Sequence, residues 1–129
     1  MKATVFFDGA CSGNPGPMGA GAIVLAGSKH EVISVAVGRG TNNEAEYWGL
    51  ILGLEAAATM GATGVLVCGD SQLILRQLEG SYAVKAPNLQ ELHARAKQAL
   101  QAFHQYTLQW VRRDANGEAD AAARAALGR

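Results

Sequence analysis

The chain has 129 residues, 49% of them hydrophobic and only three of them proline, a composition that fits one globular domain over residues 1–129 and excludes disorder. No apolar run approaches the roughly 20 residues of a membrane span, and the acid at Asp8 arrives too early for a signal-peptide core, so the expected location is the cytoplasm. Eleven Lys and Arg balance eleven Asp and Glu, which excludes a strongly basic nucleic-acid binder, and the two cysteines, Cys11 and Cys68, demand no disulfide.

Residues 2–7 are apolar almost throughout and rich in β-branched and aromatic side chains, which predicts a central strand ending at Asp8. Residues 8–19 are too glycine-dense for helix or strand and read as a loop. Strands follow over 20–25 and 31–37, with Gly27-Ser28 as a tight reversal, giving an antiparallel meander. The next pattern is helical over 43–60, with Leu50, Ile51, Leu54, Ala57 and Ala58 on one face and Gly61 as its stop. Asn43 has the chemistry of an N-cap, and Glu46 three residues later completes a capping-box pattern. Residues 64–68 form a short apolar strand after a helix, which implies a crossover to a parallel partner. Ser71 caps a short helix through Leu78, and a longer helix runs over 88–104. A last strand at 107–111, a polar loop at 112–117 and an alanine-rich helix at 118–127 complete the order βββαβααβα. That order predicts an α/β fold, one five-stranded mixed sheet flanked by helices. Trp48 and Trp110 sit on patterned elements and are expected in the core.

Four carboxylates occupy suggestive places. Asp8 and Asp70 each follow an apolar strand, Glu46 lies at the start of the long helix, and Asp120 is one turn into the last one. A lone Asp after a strand is usually a turn former, and Glu46 alone reads as a cap. Two such Asp residues on adjacent parallel strands, facing a helix-borne Glu, form a cluster that stays ionised only with cations between its members. Oxygen donors without His or Cys favour Mg²⁺ or Mn²⁺ over zinc. Two such ions would suit phosphodiester hydrolysis by in-line displacement. With these four acids neutralised, seven remain against eleven bases, a mildly basic balance. The glycine-rich loop is neither a Walker loop nor a dinucleotide fingerprint. Its plain role is a hairpin connection, and its sharper one is to let backbone N–H groups and Asn14 approach a sugar-phosphate chain.

Taken together, four runs resemble type 1 ribonuclease H. They are Asp8-Gly9-Ala10-Cys11-Ser12-Gly13-Asn14 and its continuation to Gly21, Thr41-Asn42-Asn43-Glu44-Ala45-Glu46, Gly69-Asp70-Ser71-Gln72, and Asn116-Gly117-Glu118-Ala119-Asp120. They occur in the family's order across nearly the whole chain. The resemblance implies a ribonuclease H-like fold and metal-dependent cleavage of the RNA strand of an RNA–DNA hybrid, leaving 3′-hydroxyl and 5′-phosphate ends. By residue match it implies that Asp8, Glu46, Asp70 and Asp120 hold two Mg²⁺ ions, with Mn²⁺ as a substitute. It implies that Cys11, Asn14, Asn42 and Gln72 contact the RNA strand and that Thr41 grips a DNA-strand phosphate.

The chain departs from the family pattern twice. Residues 112–117 lack the loop histidine of many members, as in the archaeal-like branch, and Arg113 is the expected stand-in. His30, His93 and His104 are expected to be ordinary surface or edge residues. Residues 80–87 offer only Tyr82 and Lys85 where many bacterial members carry a basic protrusion, and no separate hybrid-binding domain is expected. These departures leave two further readings: a nuclease of the same fold acting on double-stranded RNA, and a catalytically silent nucleic-acid-binding module. No obligate protein partner is evident, and a monomer is expected.

Overall fold

In the computed structural model, which describes residues 1–129, the chain runs β1 (Lys2–Cys11), β2 (Gly16–Ala26), β3 (Lys29–Gly40), α1 (Asn42–Thr59), β4 (Gly64–Gly69), α2 (Gln72–Glu79), α3 (Pro87–Leu100), β5 (Gln105–Trp110) and α4 (Gly117–Ala125). A 3-10 turn over Arg113–Asn116 leads into α4. The strands form one sheet in the order β3-β2-β1-β4-β5. β2 is antiparallel to both β1 and β3, while β4 is parallel to both β1 and β5. The expected element order and mixed sheet are therefore present. No helix is long and apolar enough to cross a membrane.

The core lies on the sheet face covered by α1, α2 and α3. Val5, Phe7, Val65 and Val67 project there from β1 and β4. They meet Tyr47, Leu50, Ile51 and Leu54 of α1, Ile74 and Leu78 of α2, and Leu92, Ala96 and Leu100 of α3. Fully burying Leu50, Ile51 and Leu54 contributes about 1.5–3 kcal/mol each. Because α1 is sandwiched between the sheet and α3, its buried residues spread widely around the helix. Only Ala58 of the expected apolar face looks out to solvent.

α4 covers the opposite face. Gly19 and Gly21 of β2 lie directly beneath it, where a side chain would collide with the Ala123 and Ala119 carbonyls. This packing explains the first correction. The glycine-dense run is mostly strand, because its glycines make room for helices; β1 continues through Asp8 to Cys11, and only residues 12–15 turn. Asp8 therefore sits inside a strand rather than at its end.

Other boundaries also differ. Thr41, not Asn43, caps α1. Its side chain accepts from the Glu44 N–H at 3.2 Å while Glu44 accepts from the Thr41 N–H at 3.1 Å, which makes Glu44 the capping-box acid. Glu46 is thereby released from the capping role. Ser71 caps α2 as expected, accepting from the Ile74 N–H. α3 stops at Leu100, four residues before His104, and the loop before α4 is a 3-10 turn. Trp110 is 48% exposed rather than buried, since β5 is an edge strand. Trp48 packs against the rim of the core under the Arg95 guanidinium.

Candidate metal centre

Parallel pairing of β1 and β4 sets Phe7 beside Gly69, so Asp8 within β1 and Asp70 just past the end of β4 come side by side. Glu46 reaches them because α1 crosses β1 in backbone contact. Gly9 lies against the backbone of Ala45 and Glu46, and Gly49 lies against the Asp8 carbonyl. A Cβ at either glycine would collide with backbone, so this pair lets the helix come so near. The result is a group of carboxylate oxygens from Asp8, Glu46 and Asp70, all within 4.8 Å of one another. Asp8 is buried and the other two are half-buried.

Asp120 arrives from α4 and lines the same open cavity of about 340 Å³ as Asp8 and Glu46. It stands outside the group of three, and its Oδ2 pairs with Arg124 Nε at 3.3 Å. The cavity is also lined by Cys11, Asn42, Arg113, Arg124 and Arg129. The Cys11 thiol donates to the Gly40 carbonyl at 3.1 Å. Asn14 Oδ1 accepts from the Asn42 N–H at 3.0 Å, joining the β1–β2 turn to the start of α1. Thr41 lies at that same junction as the cap.

Gln72 opens α2 outside this cavity. It borders a separate hollow of about 170 Å³ with Arg76, Leu108 and Trp110. The Trp110 indole N–H donates to the Asp70 carbonyl at 3.2 Å. None of the three histidines lines the cavity: His30 faces Glu118, His93 lies against the Gln77 carbonyl, and His104 is exposed. Both cysteines are free. Sequence reasoning missed Arg124 and Arg129 in the cavity wall; Arg124 is legible as a helical i, i+4 partner of Asp120.

Burial pushes the Asp8 carboxyl up to about 7, and the charges of Asp70 and Asp120 add to the rise. The Gly9 N–H, bonded to Oδ1 at 2.9 Å, works against it. Glu46 is pushed up to about 8, first by burial and then by the charges of Asp8 and Asp70; Arg113 pulls it back down. The contact between the two carboxyls lowers Asp8 and raises Glu46. Without a cation the site thus holds a proton at neutral pH, because clustered carboxylates cannot all ionise. The nearest donors are all carboxylate oxygens, a hard set that fits a divalent ion of the Mg²⁺ class. Its negative charge relieves itself either by taking up protons or by binding such an ion.

Residues 6–126 match the family described as Reverse transcriptase-like. The chain is 41% identical to ribonuclease HI of Halobacterium salinarum, a match over 98% of this chain and 64% of that protein. It is likewise 41% identical to the bifunctional protein Rv2228c of Mycobacterium tuberculosis, over 98% of this chain but 36% of that one. This chain thus spans about a third of the mycobacterial relative and under two-thirds of the halobacterial one. In structure it superposes on LC11-RNase H1, solved in complex with an RNA/DNA hybrid, with a TM-score of 0.89 and 32% identity, covering 98% of this chain and 96% of that one. The sheet order, the acidic group and these likenesses agree: the chain has the ribonuclease H-like fold and belongs to the type 1 ribonuclease H family.

Proposed function

We propose that this chain is an endoribonuclease that hydrolyses the RNA strand of RNA–DNA hybrids, leaving 3′-hydroxyl and 5′-phosphate ends. Asp8, Glu46, Asp70 and Asp120 hold two Mg²⁺ ions, which Mn²⁺ can replace. The observation that carries this reading is the approach of the Asp8, Glu46 and Asp70 oxygens to within 4.8 Å, on three different elements. Nothing but a cation or a proton makes that arrangement tolerable, and a relative of the same fold has been solved with an RNA/DNA hybrid. When bound, the ions activate water and neutralise charge developing on the phosphoryl oxygens.

The chain's own residues orient the substrate. The Gly9 N–H holds the Asp8 carboxylate in one direction. Glu46, once ionised, accepts a hydrogen bond from a ribose 2′-hydroxyl, a donor that DNA lacks, and so marks the RNA strand. Asn14 engages its carbonyl oxygen with Asn42, which leaves its amide hydrogens for the RNA strand. Cys11 and Asn42 in the cavity wall, and Gln72 beyond Asp70, extend the RNA track. Thr41 donates its hydroxyl to Glu44 at 3.3 Å, a long bond readily exchanged for a DNA-strand phosphate. Arg113 lines the cavity and helps the product phosphate leave, in place of the loop histidine; this supports a place in the archaeal-like branch. Residues 1–129 act as one ribonuclease H domain and as a monomer.

The test is a panel of labelled RNA–DNA hybrid, RNA duplex, DNA duplex and single-stranded RNA, with Asp8→Asn as the blank. Cuts confined to the hybrid and absent from the blank are expected. Equal cutting of RNA duplex would replace hybrid specificity with a broader nuclease of the same fold. Hybrid binding without metal-dependent cutting would reduce the domain to a silent binding module.

A further inference from the structure

α4 carries Asp120 and packs on β2 through Ala119, Ala122 and Ala123, small residues over glycines. Such a contact sets the distance between helix and sheet, but smooth surfaces do little to set where along its axis the helix stops. Two side-chain bonds tether α4 to the sheet, one toward each end. Ser34 of β3 donates its hydroxyl to the Ala122 carbonyl at 2.7 Å. At the other end, Asn116 donates its amide to the Phe7 carbonyl at 2.9 Å, across 109 residues of sequence.

Asn116 is 1% exposed and occupies the N-cap position of α4, yet its side chain makes no capping bond there. Its Oδ1 is buried with no hydrogen-bond partner, an arrangement that works against folding. Folding tolerates an orphaned acceptor here while the amide end is spent on one carbonyl. That carbonyl belongs to the residue before Asp8, and the amide belongs to the residue four before Asp120. The bond therefore ties the carriers of two carboxylates directly to each other.

We propose that Asn116 is a positioning residue that sets Asp120 relative to Asp8, so that losing it detaches Asp120 from the metal site without dismantling α4. The proposal rests on the reading that both carboxylates hold metal. Asn116→Ala, and Asn116→Asp as a same-sized variant with no amide donor, should weaken binding of one Mn²⁺ ion to the free protein by about tenfold to a hundredfold. In hybrid cleavage kcat should fall by a similar factor with little change in KM. Ser34→Ala is the control: it loosens α4 at its other anchor and should lower Tm while leaving metal binding and kcat near wild type.

Calorimetric Mn²⁺ titrations, unfolding curves and steady-state rates on the full chain decide the matter. Wild-type Mn²⁺ affinity and kcat in both Asn116 variants would overturn the proposal, as would equal losses in Ser34→Ala. Asp120→Asn separates the two levels of the argument. If it costs metal binding and turnover while the Asn116 variants cost neither, only the positioning role fails. If it costs nothing, the reading of Asp120 as a ligand fails and the proposal falls with it.

Discussion

The metal-free protein should be stabilised by neutralising Asp8, and by more as pH rises. Burial, with the charges of Asp70 and Asp120, raises this carboxyl from 3.8 to about 7. Below about pH 4 both folded and unfolded chains hold the proton, and Asp8→Asn changes stability by a constant. Between about pH 4 and 7 the unfolded chain releases its proton while the folded chain keeps it, so wild type loses stability relative to Asp8→Asn. Above about pH 7 the difference levels off. The full shift corresponds to about 4 kcal/mol, and the open cavity lets water and counter-ions halve that to about 2 kcal/mol. In a chain of this size that is roughly 8 °C in Tm. Urea unfolding of both proteins in EDTA, from about pH 4 to 9, gives the difference directly. Adding Mg²⁺ should reverse the order at high pH, because the ion binds folded wild type and not the unfolded chain. A pH-independent difference, or one that favours wild type as pH rises without metal, would refute the assignment of a repelling carboxylate cluster.

Three further outcomes follow from the geometry. Gly9→Ala should destabilise the fold by about 1–3 kcal/mol or more and weaken Mn²⁺ binding, because the new Cβ strikes the Ala45–Glu46 backbone and pushes Glu46 away; denaturation and metal titration on one preparation check both. Tyr47→Phe should cost about 1–3 kcal/mol, since the Tyr47 hydroxyl donates to the buried Gln77 Oε1 at 2.6 Å and that acceptor would be orphaned; cleavage rates per folded molecule should not change. Arg113→Ala should leave unfolding stability within about 0.5 kcal/mol of wild type, as expected of an exposed charge. It should raise the Glu46 titration seen by carboxyl NMR, because Arg113 opposes that rise.

The carriers of the candidate site were legible in sequence wherever chemistry was local. A carboxylate after an apolar run and another at the start of a helical pattern mark Asp70 and Glu46, and parallel pairing of β1 with β4 follows from the crossover between them. What was not legible depends on partners distant in sequence. The run from Asp8 to Gly19 looks like a loop because glycine breaks strands in isolation, yet Gly9, Gly19 and Gly21 are there to admit α1 and α4. Asn43 and Thr41 are equally good caps by type, and only the Glu44 side chain, turned back to the Thr41 N–H, decides between them. Trp110 follows the core alternation of its strand, but β5 is the edge of the sheet, so the ring stays half in solvent. Asn116 lies in a polar run, and no local signal shows that its amide meets the carbonyl before Asp8.

The central claim is that the clustered carboxylates cut RNA paired to DNA, and Asp70→Asn tests it most directly. Wild type and mutant would be incubated with an end-labelled hybrid in about 5 mM Mg²⁺, an excess suited to weak carboxylate sites, and again in EDTA. Cleavage of the RNA strand alone is predicted for wild type, with 3′-hydroxyl and 5′-phosphate ends and none in EDTA. The mutant should fold as well or better and cut on the order of 10³-fold more slowly, the loss of about 4 kcal/mol of charge stabilisation. Full activity in folded Asp70→Asn, or cutting that survives EDTA, would contradict the account.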